Sequence, residues 1–273
     1  MYHINALERI IAALGKTMNV PKNFGVFHIV SLIIIILSCA AIVIFRHKIP
    51  KRLIPSLILS VGIVMIFFEI YKQLVISYDP TTDSWRYKWY IFPFQFCSTP
   101  EYITVFAFIC HKLNFKKLYG ASVSFLATYG LIAGTVVLII PSTVFCPIIG
   151  INLQTVIHHG LMVILAITLL ACGTVKPTVS SMKGAVTVFA PLLVLALVMN
   201  AIYGNGREFD MFYLSPESQH VLPILRDIFG HGFPPYPIYL VGYILLFTSG
   251  AALILYITRI LTKYSTVEDN SNK

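Results

Sequence analysis

The chain has 273 residues, of which 57% are hydrophobic and only 11% are charged, and its formal net charge is +9. Soluble domains usually carry about a quarter charged residues. This composition, with a mean hydropathy of +0.81, therefore excludes an ordinary soluble protein and predicts a chain that lies in a lipid bilayer. The sequence contains no phosphate loop, dinucleotide fingerprint or metal-ligand spacing, so we expect neither a cofactor nor a metal.

Seven apolar segments predict an all-α fold, a polytopic membrane protein built as a seven-transmembrane-helix bundle. Each segment is near or above the roughly 20 residues that cross about 30 Å of hydrocarbon. The predicted spans are residues 24–45, 54–76, 89–110, 119–141, 151–173, 184–204 and 236–262. They form a membrane domain (24–263), which follows an amphipathic N-terminal segment (1–23) and precedes a polar tail (264–273).

The N-terminal segment has apolar residues at helical spacing, namely Ile4, Leu7, Ile10, Ile11, Leu14 and Met18. This pattern is typical of an amphipathic helix that lies on the membrane surface. A structural cap on the bundle would give the same pattern. No positively charged leader stands directly before a small-residue cleavage site, so we expect no cleavable signal peptide.

The distribution of Lys and Arg predicts the orientation. The connections after spans 1, 3 and 5 and the C-terminal end hold 12 basic and two acidic residues, whereas the opposite side holds eight basic and seven acidic ones. Basic loops remain in the cytoplasm. We therefore expect the N-terminus outside and the C-terminus in the cytoplasm of a multi-pass protein of the cell membrane. The net charge is then an insertion signal, and we expect membrane lipids as partners and no nucleic acid. The sequence leaves the oligomeric state open.

Five polar residues of the predicted spans fall at similar depth, a few residues from the outer face: Glu69, Cys97, His158, His159 and Asn200. Hydrocarbon penalises such groups, so their shared depth predicts a polar pocket inside the bundle. Tyr203 lies close to Asn200, and Glu101 shares the helix face of Cys97.

A cysteine and a histidine at one depth can form a thiolate–imidazolium pair, which supplies a nucleophile near neutral pH. We therefore assign Cys97, His158 and His159 as candidate catalytic residues, although Cys97 would also suit a small core position. Glu69 is assigned either to orient the histidine or to pair with Lys72.

Two prolines bracket the cysteine, Pro93 and Pro100. Each removes a backbone donor and frees carbonyl groups one turn earlier, which can open room beside Cys97 for a ligand. Candidate substrate-binding residues near this opening are Gln95, Asn200, Tyr203 and Glu101. A neutral, hydrogen-bonded acid is the alternative interpretation of Glu101.

Three short stretches resemble the YwaF-like integral membrane proteins of bacteria, which are similar to the eukaryotic transmembrane protein 164 family. The stretches are Phe92-Pro93-Phe94-Gln95-Phe96-Cys97, Ile157-His158-His159-Gly160 and Asn200-Ala201-Ile202-Tyr203-Gly204-Asn205, followed by Phe212-Tyr213-Leu214-Ser215-Pro216. The resemblance implies a seven-helix fold and a cysteine-dependent acyltransferase acting on phospholipid acyl chains. Cys97 would carry the acyl group and His158 or His159 would activate it. Gln95 departs from the pattern, because bacterial members are expected to have His there.

Two functions of different classes follow. The first is acyl transfer between lipids, with a thioester at Cys97 and with Asn200, Tyr203 or Gln95 donating hydrogen bonds to the developing oxyanion. The alternative is a transporter or ligand-binding membrane subunit, in which Glu69, His158 and Asn200 bind a solute or relay protons.

Overall fold

The structure is a computed structural model that describes residues 6–141, 144–204, 208–216 and 235–271. Its helices are α1 (Ala6–Leu14), α2 (Val26–Phe45), α3 (Ile54–Ser77), α4 (Thr99–Lys112), α5 (Lys116–Ala127), α6 (Tyr129–Ile139), α7 (Ile149–Ala171), α8 (Val179–Tyr203) and α9 (Tyr236–Ser271). Short 3-10 turns cover Arg46–Lys48, Lys51–Leu53, Trp89–Ile91 and Met211–Tyr213. A small antiparallel hairpin joins β1 (Tyr78–Asp79) to β2 (Ser84–Trp85). The fold is therefore all-α apart from this hairpin in the described ranges.

Six helical segments of the described chain are long and apolar enough to cross a membrane. They are Val26–Lys48, Lys51–Ser77, Lys116–Ile139, Ile149–Ala171, Val179–Tyr203 and Tyr236–Thr262. The third of these combines α5 and α6, which are separated only by a local break at Thr128. Because each contains 23 or more residues, each can span the hydrocarbon layer. The protein is thus a multi-pass membrane protein, as its composition predicts.

The predicted third span, residues 89–110, is not one continuous helix. A 3-10 turn covers Trp89–Ile91, an irregular segment follows, and α4 begins only at Thr99. Pro93 cannot donate a helical hydrogen bond, whereas Pro100 lies in the first turn of α4, where the missing donor costs nothing. The two prolines therefore end and restart the structure instead of bending a single helix. With 14 residues, α4 alone is too short to cross the membrane.

Glycines allow the helices that surround this interruption to pack closely. A Cβ atom on Gly62 of α3 would overlap the side chain of Thr104 in α4, and one on Gly134 of α6 would lie 2.9 Å from the backbone oxygen of His159 in α7. Such close approaches are typical of helix packing in membranes, where small residues let backbones meet. They fix α4 against α3 and α7 against α6.

An aromatic cluster fills the centre of the bundle. Tyr129 stacks on Phe189 with ring centroids 4.4 Å apart, and Phe96 meets Phe247 edge-on at 4.6 Å. Phe96 also contacts Phe125. Because Phe96 directly precedes Cys97, its burial anchors the irregular segment in the core.

Helix α1 and the start of α7 lie at the same face of the bundle as the end of α3. The amide of Met18 donates to the carbonyl of Pro147, the amide of Ile149 donates to that of Lys16, and the Tyr71 hydroxyl donates to that of Leu14 at 2.9 Å. We call this side of the molecule the α1 face.

Candidate functional site

The irregular segment, residues 92–98, lies below the α1 face, and side chains satisfy the backbone around it. Gln73 of α3 donates to the carbonyl of Ile91 at 2.7 Å, and the Tyr102 hydroxyl of α4 donates to that of Pro93 at 2.6 Å. Non-helical backbone at membrane depth persists only where protein groups of this kind replace the missing ladder. Polar side chains of α3 and α4 thus stabilise the irregular conformation of the cysteine segment.

His158 of α7 makes the third of these contacts, with Cys97 itself. Its Nε2 lies 3.2 Å from the Cys97 carbonyl oxygen. A carbonyl only accepts, so the proton of this bond is on Nε2, and Nδ1 of the neutral ring carries the lone pair. That Nδ1 is buried and has no hydrogen-bond partner. The contact is structural, but it also fixes the tautomer in which Nδ1 is the unprotonated nitrogen of the ring.

His159 presents a second free nitrogen. Its Nδ1 donates to the Thr155 carbonyl at 2.7 Å, and its Nε2 is buried without a partner. The two imidazole rings are tilted, with centroids 5.2 Å apart. Although neighbours on a helix point about 100° apart, both rings are buried in the bundle. The site therefore offers two acceptor nitrogens to a hydroxyl or thiol donor.

Glu69 is engaged with residues of its own helix. Its Oε2 lies 2.7 Å from the Lys72 ammonium, and its Oε1 accepts from Gln73 at 2.6 Å. Of the two roles that the sequence permits, the geometry favours pairing with Lys72. Lys72 also interacts electrostatically with Cys97 and with both histidines, so it places a cation near the thiol.

Glu101 is the enclosed acid of the site. It is only 1% exposed, and neither carboxyl oxygen has a hydrogen-bond partner. The neighbouring Tyr102 hydroxyl has a single proton, which it donates to the Pro93 carbonyl. An unpaired carboxylate at this depth is costly. Glu101 therefore either holds a proton or meets a donor that a ligand supplies.

Cys97 stands at the beginning of α4. It precedes Ser98, the N-cap residue, and its side chain remains partly exposed. The N-terminus of a helix carries partial positive charge, which stabilises a thiolate. This placement depends on the interruption of the predicted third span, since a cysteine in the middle of a helix lacks such an environment. The helix end and Lys72 act in favour of the thiolate, whereas burial of the segment acts against it.

Gln95 and Asn200 clamp a segment that follows α8. The Gln95 amide donates to the Asp210 carbonyl at 2.7 Å and accepts from the Phe212 amide at 3.1 Å. Asn200 donates to the Met211 carbonyl at 2.9 Å and accepts from its amide at 2.7 Å. Both side chains are thus committed to backbone groups. A role for either in substrate binding stays a prediction.

The clamped segment has strained backbone. Phe212 and Tyr213 have φ values of 62° and 57°, a left-handed conformation that costs non-glycine residues about 1–2 kcal/mol each. Tyr213 interacts electrostatically with Cys97, as does Tyr243 of α9. Neither tyrosine was assigned from the sequence. The only signal was the position of Tyr213 in the stretch from Phe212 to Pro216.

The structure thus groups most of the predicted site residues and separates one. Tyr203, at the end of α8, is 44% exposed and packs against Phe209. The described residues contain no group of three or more His, Cys, Asp or Glu side chains arranged to hold a metal ion. What remains is a thiol, two imidazoles, a lysine–glutamate pair and a buried acid.

Comparison with known proteins places this sequence in a family. No curated protein and no solved structure matches the chain significantly. The TMEM164 family matches residues 23–256, a range that includes every candidate site residue and all helices from α2 to α8. Because this match covers most of the sequence, the chain belongs to the TMEM164 family.

Proposed function

We propose that this protein is a membrane acyltransferase in which Cys97 is the nucleophile and His158 is its base. The observation that carries the proposal is the 3.2 Å contact between His158 Nε2 and the Cys97 carbonyl oxygen. It brings the imidazole to the cysteine and leaves Nδ1 as an unoccupied base. A nucleophile, an adjacent base and an orienting contact are the parts that covalent catalysis requires.

The proposed reaction has two steps that return the enzyme to its starting state. In the first, His158 takes the thiol proton and the Cys97 sulfur attacks the ester carbonyl of a phospholipid acyl chain. The sulfur–carbon bond forms, the ester carbon–oxygen bond breaks, and the imidazolium returns the proton to the departing lipid hydroxyl. In the second, the hydroxyl of an acceptor lipid gives its proton to the imidazole, attacks the thioester and releases the thiol.

The remaining polar groups have supporting roles in this proposal. His159 Nε2 lacks a hydrogen bond and can accept one from the acceptor hydroxyl. The strained segment at Tyr213 brings a hydroxyl into the environment of Cys97, where it can donate to the developing oxyanion. Glu69 holds Lys72 near the thiol. Enclosure of the site by the bundle limits water and favours transfer over hydrolysis.

We further propose that residues 86–112 form a seventh, interrupted crossing. Gln73 bonds to Ile91 and Gly62 packs on Thr104, so the later segment runs antiparallel to α3 from the α1 face. Its outer half is irregular and its inner half is α4. Seven crossings give termini on opposite sides, and the basic residues of the loops favour an external N-terminus in the cell membrane.

The test of the enzyme is Cys97→Ser with lipid profiling and a thiol-reactive lipid probe. We expect the variant to lose covalent labelling and to change the acyl composition of membrane lipids, whereas Cys39→Ser, a matched change on α2, should do neither. Unchanged acyl composition together with retained labelling of the Cys97→Ser protein would remove the proposal. His158→Gln should reduce labelling by about 10²–10⁴-fold, the range for loss of a general base.

A second candidate is supported by the unpaired buried groups. Glu101, His158 and His159 each have polar atoms without partners, and such groups can relay protons or bind a solute in a transporter or ligand-binding subunit. Under this alternative Cys97→Ala leaves growth or uptake intact, while Glu69→Gln and Glu101→Gln abolish it. If the protein is an acyltransferase, Cys97→Ala abolishes its activity instead.

A further inference from the structure

A groove of about 640 Å³ opens on the α1 face, above the polar site. It is lined by the end of α3, the β1–β2 hairpin, the segment after β2, and residues 146–148 before α7. Three of its lining residues are charged: Asp79, Arg86 and Lys88. Neither the sequence patterns nor the proposed chemistry at Cys97 uses this groove.

The cations of the groove are available to a ligand. Within the described ranges, neither Arg86 nor Lys88 forms an ion pair, and both side chains are exposed. The carboxylate of Asp79 is instead occupied by its own turn, because it accepts from the amide and the hydroxyl of Thr81 at 2.9 and 2.6 Å. These bonds lower the pKa of Asp79. The groove therefore presents two unpaired positive charges and one carboxylate held by its own turn.

An independent observation points to a hydrogen-bonding ligand in the same place. Ser77, the last residue of α3, lines the groove and is 8% exposed, yet its hydroxyl has no hydrogen-bond partner. Its carbonyl is satisfied by the amide of Arg86 at 2.8 Å, which also brings the Arg86 backbone beside Ser77. A buried hydroxyl next to an arginine and a lysine suits an acceptor with several oxygens and negative charge.

We infer that this groove binds the phosphate group of a membrane phospholipid. Arg86 and Lys88 contact the phosphate oxygens, and the Ser77 hydroxyl donates to one of them. Four exposed aromatic residues follow or flank the cations, namely Trp85, Tyr87, Trp89 and Tyr90. Tryptophan and tyrosine concentrate at the level of lipid headgroups, which puts the groove at the depth of the phosphate layer.

The position of the groove relative to Cys97 suits it to hold a lipid substrate for acyl transfer. This role of the groove rests on the proposed function. Ser77 follows Gln73 and Glu69 by four and eight residues, or about 6 and 12 Å of helix rise. The headgroup region of a bilayer leaflet is about 5–8 Å thick. A lipid held by its phosphate in the groove therefore has its ester groups near the layer of Gln73 and Ile91, about one helical turn before Glu69.

The test measures lipid binding to the detergent-purified full chain by native mass spectrometry. The probes are a short-chain phosphatidylglycerol and the diacylglycerol with the same chains, which lacks the phosphate. We expect Arg86→Gln/Lys88→Gln to bind phosphatidylglycerol about tenfold or more weakly, the loss that one or two charge-assisted hydrogen bonds produce. Ser77→Ala should weaken it by a smaller factor. The matched control is Arg9→Gln/Lys22→Gln, which removes the same charges at exposed sites outside the groove lining.

Equal affinity of Arg86→Gln/Lys88→Gln and the unchanged protein for phosphatidylglycerol would overturn the inference, as would equal binding of diacylglycerol. Displacement of the lipid by millimolar inorganic phosphate would assign the groove to free phosphate and reject a lipid ligand. Cys97→Ser should bind phosphatidylglycerol normally. Loss of acyl transfer in Cys97→Ser is therefore separable from loss of the groove, because that variant retains the lipid binding that Arg86→Gln/Lys88→Gln weakens.

Discussion

The side chain of Asn200 makes two hydrogen bonds to the backbone of one later residue. Its amide donates to and accepts from the backbone of Met211, eleven residues later, and the side chain is 4% exposed. Met211 itself is fully buried. An amide that replaces a missing backbone partner fixes the chain direction after α8, and with it the strained residues Phe212 and Tyr213.

Replacing Asn200 by Ala should destabilise the protein by about 2–4 kcal/mol, because two buried backbone groups of Met211 lose their partners. The measurement is the thermal unfolding midpoint in detergent. Asn23→Ala, at an exposed position before α2, is the control and should unfold like the unchanged protein. If the two variants were equally stable, the clamp at Met211 would contribute nothing to the fold.

Residue counting along the apolar segments predicts that Cys97 and His158 lie close together, but it does not predict the partners of the other site residues. Counting residues along each apolar segment placed Cys97 and His158 at comparable depth, and the structure brings them into contact. The partners of Gln95 and Asn200 are backbone groups of residues 210–212, which no residue pattern identifies. The sequence also left the role of Glu69 open, because its choice between Lys72 and a histidine depends on rotamers.

At the scale of elements, the interruption between the two prolines decides the architecture. Residues 89–110 are apolar enough to suggest a helix throughout, and composition alone does not distinguish a bend from a break. The break occurs because Gln73, Tyr102 and His158 supply hydrogen bonds to carbonyls that a helix would have used. Those donors come from three helices, so the irregular segment is a tertiary feature that local sequence cannot specify.

The contact of α3 with α4 offers a test at this scale. Gly62→Ala should cost about 1–3 kcal/mol, the usual penalty for overpacking, because its Cβ would overlap Thr104. Gly120→Ala on α5 is the matched control, since nothing lies within 4 Å of its Cβ position. Chemical unfolding in mixed micelles measures both. Thr104→Ala in the Gly62→Ala background should recover part of the loss, and no recovery would argue against the predicted overlap.

For the whole molecule, length and hydropathy predicted the membrane class and the positions of six crossing helices. Spans are recoverable because the bilayer imposes a length and an apolar composition on each. Inter-helix geometry has no comparable signature in a single sequence. The number of crossings and the sidedness therefore rest on α4, which carries neither the length nor the continuity of its neighbours.

Cysteine accessibility tests the sidedness directly. In a cysteine-free background, Lys88→Cys should react with a membrane-impermeant maleimide on intact cells, whereas Lys112→Cys should react only after permeabilisation. Lys22→Cys and Lys183→Cys serve as references for the external and internal faces. Equal reactivity of Lys88→Cys and Lys112→Cys on intact cells would mean that residues 86–112 re-enter and leave on one side, giving six crossings.

The carbonyl of Cys97 has a consequence for biogenesis. Its partner, His158, is synthesised sixty-one residues later, after α5 and α6 have been made. Until then the segment around the cysteine has an unsatisfied backbone group and no stable place in hydrocarbon. The contact between Cys97 and His158 therefore forms late, after α7 has been inserted, and in a nascent chain that stops before that helix the cysteine segment lacks this partner.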